Sequence, residues 1–72
     1  MLNVGDIITL NDNKKYAVVS LTNYNNNFYV YIANMDNPTD TQIVLHENNQ
    51  FIVINDEILI DELESIFSGN NI

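Results

Sequence analysis

The sequence predicts a mainly β protein: five antiparallel strands in a small barrel or a curved sheet, followed by one C-terminal α-helix. Three observations favour this fold. Short stretches rich in valine, isoleucine, threonine and tyrosine recur between clusters of asparagine, aspartate and glycine. The connections between the later stretches are too short for helical crossovers, so the strands must be antiparallel. From position 55 onward, the apolar residues recur at helical spacing instead.

Five strands are predicted, each bounded by residues that favour turns. They are expected at about residues 6–10, 15–23, 28–35, 41–47 and 50–54. Gly5 and Asp6 form a turn before the first strand, and Asn48 and Asn49 predict a tight hairpin turn between the last two. The longest loop contains the only proline, Pro38.

The second hairpin should have an even-numbered loop, because an odd-numbered loop would mix apolar and polar side chains on both faces. The even loop places on one apolar face Val19, Leu21, Val30 and Ile32. The opposite face then carries Ser20, Thr22, Tyr29 and Tyr31. Two alternatives are open for Tyr29 and Tyr31: an exposed interaction patch, or a face covered by the C-terminal helix.

The helix is predicted over residues 56–67, with Asn55 as its N-cap and Gly69 as a left-handed C-cap. Its apolar stripe comprises Leu59, Ile60, Leu63, Ile66 and Phe67. A competing interpretation makes residues 57–60 a sixth strand, because Ile58 lies off this stripe. The tail, residues 69–72, is expected to be frayed.

The charge of the chain is strongly unbalanced, with two lysines, ten acidic residues and a net charge of −8. Since nucleic acids and anionic membranes are bound through basic residues, direct contact with either is not expected. On the predicted helix, Glu57, Asp61 and Glu64 share one face without a lysine to pair with. That face is either simply solvated or a docking surface for a basic partner.

No residue pattern indicates catalysis, a cofactor or a metal site. His46, the sole histidine, is expected to be an exposed strand residue without an orienting partner, and the two glycines lie too far apart for a phosphate-binding loop. The Asp/Asn-rich loops lack the glycine and the closing glutamate of an EF-hand. The protein is therefore predicted not to be an enzyme.

The chain of 72 residues is predicted to form one domain over residues 1–72. Cysteine is absent, which excludes disulfides and cysteine-based zinc sites. No signal-peptide pattern is visible, and the longest apolar run is far shorter than the ~20 residues that span a bilayer. These features predict a soluble, cytoplasmic protein.

The opening from Val4 to Leu10, in which a Gly-Asp turn leads into the first strand, resembles that of SH3-like small barrels. The longer layout adds residues 15–19, residues 29–32 and an acidic C-terminal helix. It is similar to small uncharacterised bacterial and phage-encoded proteins. The resemblance implies an SH3-like fold and a protein that acts by binding, and it carries no catalytic residues.

Together these features predict a small, acidic, non-enzymatic protein-binding module encoded on a phage or mobile element. The candidate interaction residues are Tyr29, Tyr31, Glu57, Asp61 and Glu64. Open sheet edges would also permit a homodimer. Two alternatives remain: an acidic nucleic-acid mimic that inhibits a host nuclease or defence protein, and a barrel that binds a small ligand beneath the helix.

Overall fold

A computed structural model describes residues 2–69 of the chain. The elements follow in the order β1 (Ile7–Thr9), β2 (Lys15–Tyr24), β3 (Asn27–Asn34), β4 (Thr41–Glu47), β5 (Gln50–Val53) and α1 (Glu57–Phe67). Each strand pairs antiparallel with its neighbour in sequence, and the resulting five-stranded sheet is curled into a half-barrel. The predicted fold class is confirmed. The interpretation of residues 57–60 as a sixth strand is wrong, because they form the first turn of α1.

Both tight hairpins turn on pairs of asparagines in the left-handed region. The φ angles are 51° and 66° at Asn25 and Asn26, and 52° and 63° at Asn48 and Asn49. Positive φ at both central residues is the signature of a type I′ turn, whose twist matches that of the flanking strands. The predicted even-numbered loop between β2 and β3 is thus confirmed.

A β-bulge interrupts the pairing of β2 with β3 at Val19. The register shifts there, so that Val18 lies opposite Ile32 and Val19 is 45% exposed. The extra residue reverses the alternation of side chains on its N-terminal side. The prediction that Val19 shares the apolar face with Leu21 is therefore wrong, whereas Leu21, beyond the bulge, keeps its predicted pairing with β3.

Apolar side chains are buried on both faces of the sheet. The face inside the curl holds the larger cluster, formed by Ile8, Leu10, Tyr16, Val18, Val30, Ile32 and Val44. The other face carries Tyr29 and Ile43, against which Leu63 of α1 packs with no exposed surface. Since both faces are covered, both strands carry apolar side chains at consecutive positions, over residues 28–33 of β3 and 43–45 of β4.

Helix α1 begins one residue later than predicted. Asp56 is the N-cap, and its Oδ1 accepts hydrogen bonds from the backbone N–H groups of Ile58 (3.0 Å) and Leu59 (3.2 Å). The predicted cap, Asn55, lies outside the helix. A charged carboxylate satisfies the free N–H groups and also interacts favourably with the helix dipole. The C-cap is Ser68, in a right-handed conformation, and Gly69 follows it with the predicted left-handed conformation at a φ of 72°.

The loop that contains Pro38 is organised by one buried amide side chain. Asn34 is 7% exposed, and its Oδ1 accepts hydrogen bonds from the backbone N–H groups of Asp36 (2.8 Å) and Asn37 (3.2 Å). Its Nδ2 donates to Asp40 Oδ2 at 3.4 Å. The asparagine side chain thereby satisfies backbone groups that the loop cannot pair by itself.

Within residues 2–69, no helix has the length and apolar character that crossing a bilayer requires. The remainder of the predicted tail, residues 70–72, lies outside the described residues.

Candidate functional site

Helix α1 covers the tyrosine face of the sheet. Tyr29 and Tyr31 share that face with the polar residues of β2, as predicted from the even loop. Tyr29 is only 4% exposed, whereas Tyr31 is half-buried and stacks on Phe67, with ring centroids 5.4 Å apart. Of the two alternatives, the covered face is therefore correct. Tyr29 lacks the accessibility that an interaction residue needs, and only Tyr31 reaches the surface.

A groove of about 240 Å³ runs between α1 and the sheet. Its apolar wall is formed by Tyr31, Ile43, Ile54 and Ile60, and its rim by Glu64, Thr41, Gln42 and Val53. The structure thus brings together two of the predicted interaction residues, Tyr31 and Glu64, from separate elements. The groove places an apolar surface directly beside a carboxylate.

The predicted acidic face of α1 is present and exposed. Glu57, Asp61 and Glu64 lie on it at a spacing of four and three residues, and no lysine or arginine occurs in the helix. Of the three, only Glu64 also lines the groove; Glu57 and Asp61 continue the acidic face toward the helix N-terminus. The carboxylates are free to attract a basic partner, but by themselves they specify none.

A fourth acidic residue of α1 has a structural contact. Glu62 Oε1 accepts a hydrogen bond of 3.0 Å from the hydroxyl group of Tyr24. This hydrogen bond, with a smaller contribution from burial, raises the pKa of Tyr24 above its ordinary value of 10.0. Glu62 therefore links α1 to the end of β2, in addition to the packing of Leu63 against the sheet.

Sequence reasoning missed the strand residues of the groove. The sequence pattern does not single out Ile43, and it places Ile60 on the apolar stripe of the helix without indicating that this residue lines a groove. A signal was available in β4, where the consecutive residues Ile43, Val44 and Leu45 are all apolar. A strand that is apolar on both faces indicates cover on both sides, here by α1 on the outer one.

His46 has a structural environment. It was expected to be exposed, but it is half-buried because its ring stacks on Phe51 with centroids 4.5 Å apart. Its Nδ1 lies 3.1 Å from the carbonyl oxygen of Gln50, which holds the ring at the end of the β4–β5 hairpin. In the part of the chain that the structure describes, no three histidine or acidic side chains are grouped so that they could hold a metal ion.

Comparison of the chain with protein-family models, with curated proteins and with solved structures finds no match. The groove beside α1 and the adjoining acidic face are therefore the features from which a function can be derived. They combine an apolar surface with an unbalanced negative charge.

Proposed function

We propose that the protein is a small, acidic, non-enzymatic protein-binding module that docks its partner in the groove beside α1. The observation that carries the proposal is the position of Glu64, whose carboxylate borders an apolar groove lined by Tyr31 and Ile60. A partner segment that presents an apolar side chain next to a lysine or arginine would satisfy both surfaces. Apolar contact would supply affinity, and the charge pair would set orientation.

The acidic face extends this surface beyond the groove. Glu57 and Asp61 add exposed negative charge along α1, and the whole chain carries −8. Such a field accelerates the approach of a basic partner and is screened by salt. It repels nucleic acid, which is bound through lysine and arginine. These properties support a basic protein as the partner.

The size of the groove supports a protein partner over a small ligand at this position beneath the helix. Pockets for small molecules enclose about 300–1,000 Å³, whereas the groove beneath the helix measures about 240 Å³. A protein segment needs only an open groove for one or two side chains. The relationship to SH3-like barrel proteins and the origin on a phage or mobile element belong to the same proposal, and they are supported by the sequence resemblance.

The experiment compares capture of partners by three immobilised proteins from an extract of the native host. These are the wild type, Glu64→Lys, and Glu47→Lys, which makes the same charge change at an exposed residue of the β4–β5 hairpin. We expect Glu64→Lys to lose a specific protein that the wild type and Glu47→Lys retain. Equal capture by all three would contradict the groove, and equal loss in both variants would indicate only non-specific charge attraction.

The purified partner then distinguishes the proposed function from nucleic-acid mimicry. A mimic occupies the groove in which its target binds nucleic acid, so duplex DNA should displace it from the partner. A docking module that uses Tyr31 and Ile60 should withstand DNA and retain part of its affinity at high salt. Displacement by DNA would contradict the docking module and support the alternative, an acidic nucleic-acid mimic that inhibits its target.

A further inference from the structure

A second and larger cleft, of about 720 Å³, lies where the curled sheet is left open. One wall is formed by the end of β1 and the turn after it, residues 9–12, and the other by β5. The cleft meets the groove beside α1 at Gln42 and Val53. Its lining contains one carboxylate, that of Asp12, and no lysine or arginine.

The outer edge of β5 offers backbone groups to this cleft. Glu47 and Gln50 flank a two-residue turn, so they form a hydrogen-bonded pair. Pairs alternate along an antiparallel ladder, so Ile52 also directs its N–H and C=O toward β4. The N–H and C=O groups of Phe51 and Val53 therefore point away from β4. No other strand of residues 2–69 pairs with them.

This edge lacks the usual protection against pairing. Besides a short strand such as β5, sheet edges are commonly guarded by charged residues, proline or a covering loop. The four residues of β5 include no charge and no proline, and Ile52 and Val53 are 41% and 50% exposed. The edge therefore has both the backbone groups and the apolar side chains that an added strand requires.

The opposite wall holds a carboxylate in a fixed orientation. Asp12 Oδ2 accepts a hydrogen bond of 3.2 Å from the hydroxyl group of Tyr16, and its Oδ1 accepts one of 2.9 Å from the backbone N–H of Lys14. Tyr16 is itself 1% exposed, and its hydroxyl accepts a hydrogen bond of 3.1 Å from Gln42. Asp12 is thus pre-organised to receive a cation from the cleft.

We propose that this cleft binds an extended segment of a partner protein, which adds to β5 as a sixth strand and places a lysine or arginine on Asp12. Charge complementarity favours such a partner, because the one charged side chain in the lining of the cleft is the carboxylate of Asp12 and the whole chain carries −8. A second copy of this chain is a poor occupant. It carries the same charge of −8, so two copies repel each other.

The inference goes beyond the proposed function, because strand addition at β5 requires neither the groove beside α1 nor the acidic face. The probe is a blocked heptapeptide of alternating lysine and valine, titrated into the ¹⁵N-labelled protein. We expect the amide resonances of Phe51 and Val53 to shift and their hydrogen exchange to slow. Resonance shifts confined to α1 would contradict peptide binding in the cleft and would leave the proposed function unaffected.

Two pairs of variants locate the contacts. Asp12→Asn should weaken peptide binding about tenfold, whereas Asp36→Asn should have little effect, because it makes the same change in net charge in the β3–β4 loop, outside the cleft, the groove and the acidic face. Val53→Pro should weaken peptide binding about fivefold. Proline removes the outward N–H of residue 53, and it breaks no hydrogen bond to β4. Val53→Thr retains that N–H and should bind. Equal affinities of the two aspartate variants would overturn the proposal.

Two further measurements check the folding of Val53→Pro and the oligomeric state of the wild type. Circular dichroism shows whether Val53→Pro is folded; if it is not, the aspartate pair and the amide exchange still decide the outcome. Sedimentation of the wild type without peptide tests the alternative occupant. A dimer in which Phe51 and Val53 are already protected from exchange would assign the edge to a second copy and overturn the proposed partner segment.

Discussion

The hydroxyl group of Tyr24 donates a hydrogen bond to Glu62 across 38 positions of sequence and joins the end of β2 to α1. The contact requires the protonated hydroxyl, because a phenolate would lie beside a carboxylate. This hydrogen bond raises the pKa of Tyr24 in the folded state. Burial and the nearby carboxylate of Asp12 likewise raise the pKa of Tyr16.

Alkaline pH should therefore destabilise the protein. Above pH 10.0, the ordinary tyrosine value, the unfolded chain loses these protons before the folded one, so the free energy of unfolding falls as pH rises through the folded pKa values. Tyr24→Phe should be less stable at pH 7 and should lose less stability at high pH. Urea midpoints between neutral and strongly alkaline pH measure this. An unchanged slope in Tyr24→Phe would contradict the role of the hydrogen bond.

Leu63→Ala should be more damaging than Phe67→Ala. Leu63 has no exposed surface, so its truncation should cost about 2–5 kcal/mol. That is close to the ~3–5 kcal/mol available to a domain of this size, and the variant should be largely unfolded. Phe67 is half-buried, so its loss should cost less than the ~3–5 kcal/mol of a fully buried ring.

Urea midpoints measure the effect of these two truncations. Ile58→Ala is the control on the same helix, since Ile58 is 75% exposed and should tolerate the change. A Phe67→Ala midpoint as low as that of Leu63→Ala would contradict the half-buried position of the ring.

Glycine should stabilise the β2–β3 turn. Asn26 has a φ of 66°, a conformation that costs most residues about 1–2 kcal/mol and glycine almost nothing. Asn26→Gly should therefore raise the melting temperature, and Asn26→Ala should lower it. Asn23→Gly makes the same substitution inside β2 and should cost about 0.5–1 kcal/mol. Destabilisation by Asn26→Gly would contradict the type I′ assignment.

Salt should stabilise the fold. With ten acidic residues and two lysines, repulsion among like charges opposes the compact state. Raising NaCl from about 0.1 M to about 1 M shortens the Debye length from ~10 Å to ~3 Å and should raise the urea midpoint. Glu64→Lys should be neutral or more stable by a few tenths of a kcal/mol, with a weaker response to salt. A urea midpoint that falls as NaCl is added would show that attraction between opposite charges outweighs the repulsion among carboxylates.

The fold was predictable because local signals agreed with one another. Asparagine pairs marked both tight turns, and the alternation of side chains determined the even loop between β2 and β3. The bulge at Val19 was not predictable, because either of two adjacent valines can face the core of an isolated strand. The cap was misplaced by one residue, since Asn55 and Asp56 are both good N-caps and only the path of the chain distinguishes them.

The candidate site was only partly predictable. The acidic face followed from helical periodicity, but the groove depends on how α1 lies across the sheet. That placement is set by long-range contacts such as Tyr24 with Glu62 and Tyr31 with Phe67. The cleft at β5 arises from incomplete closure of the curl, which hydrophobic patterns do not encode.

The position of α1 after the sheet in the chain affects how the protein emerges from the ribosome. Every strand pairs with its immediate neighbour, so the meander can form strand by strand as it leaves the exit tunnel. Its outer face, with Tyr29 and Ile43, then stays bare until residues 57–67 have also left the tunnel. At about 5–20 residues per second this lasts on the order of a second. During that interval, mutual repulsion between acidic nascent chains would oppose their aggregation.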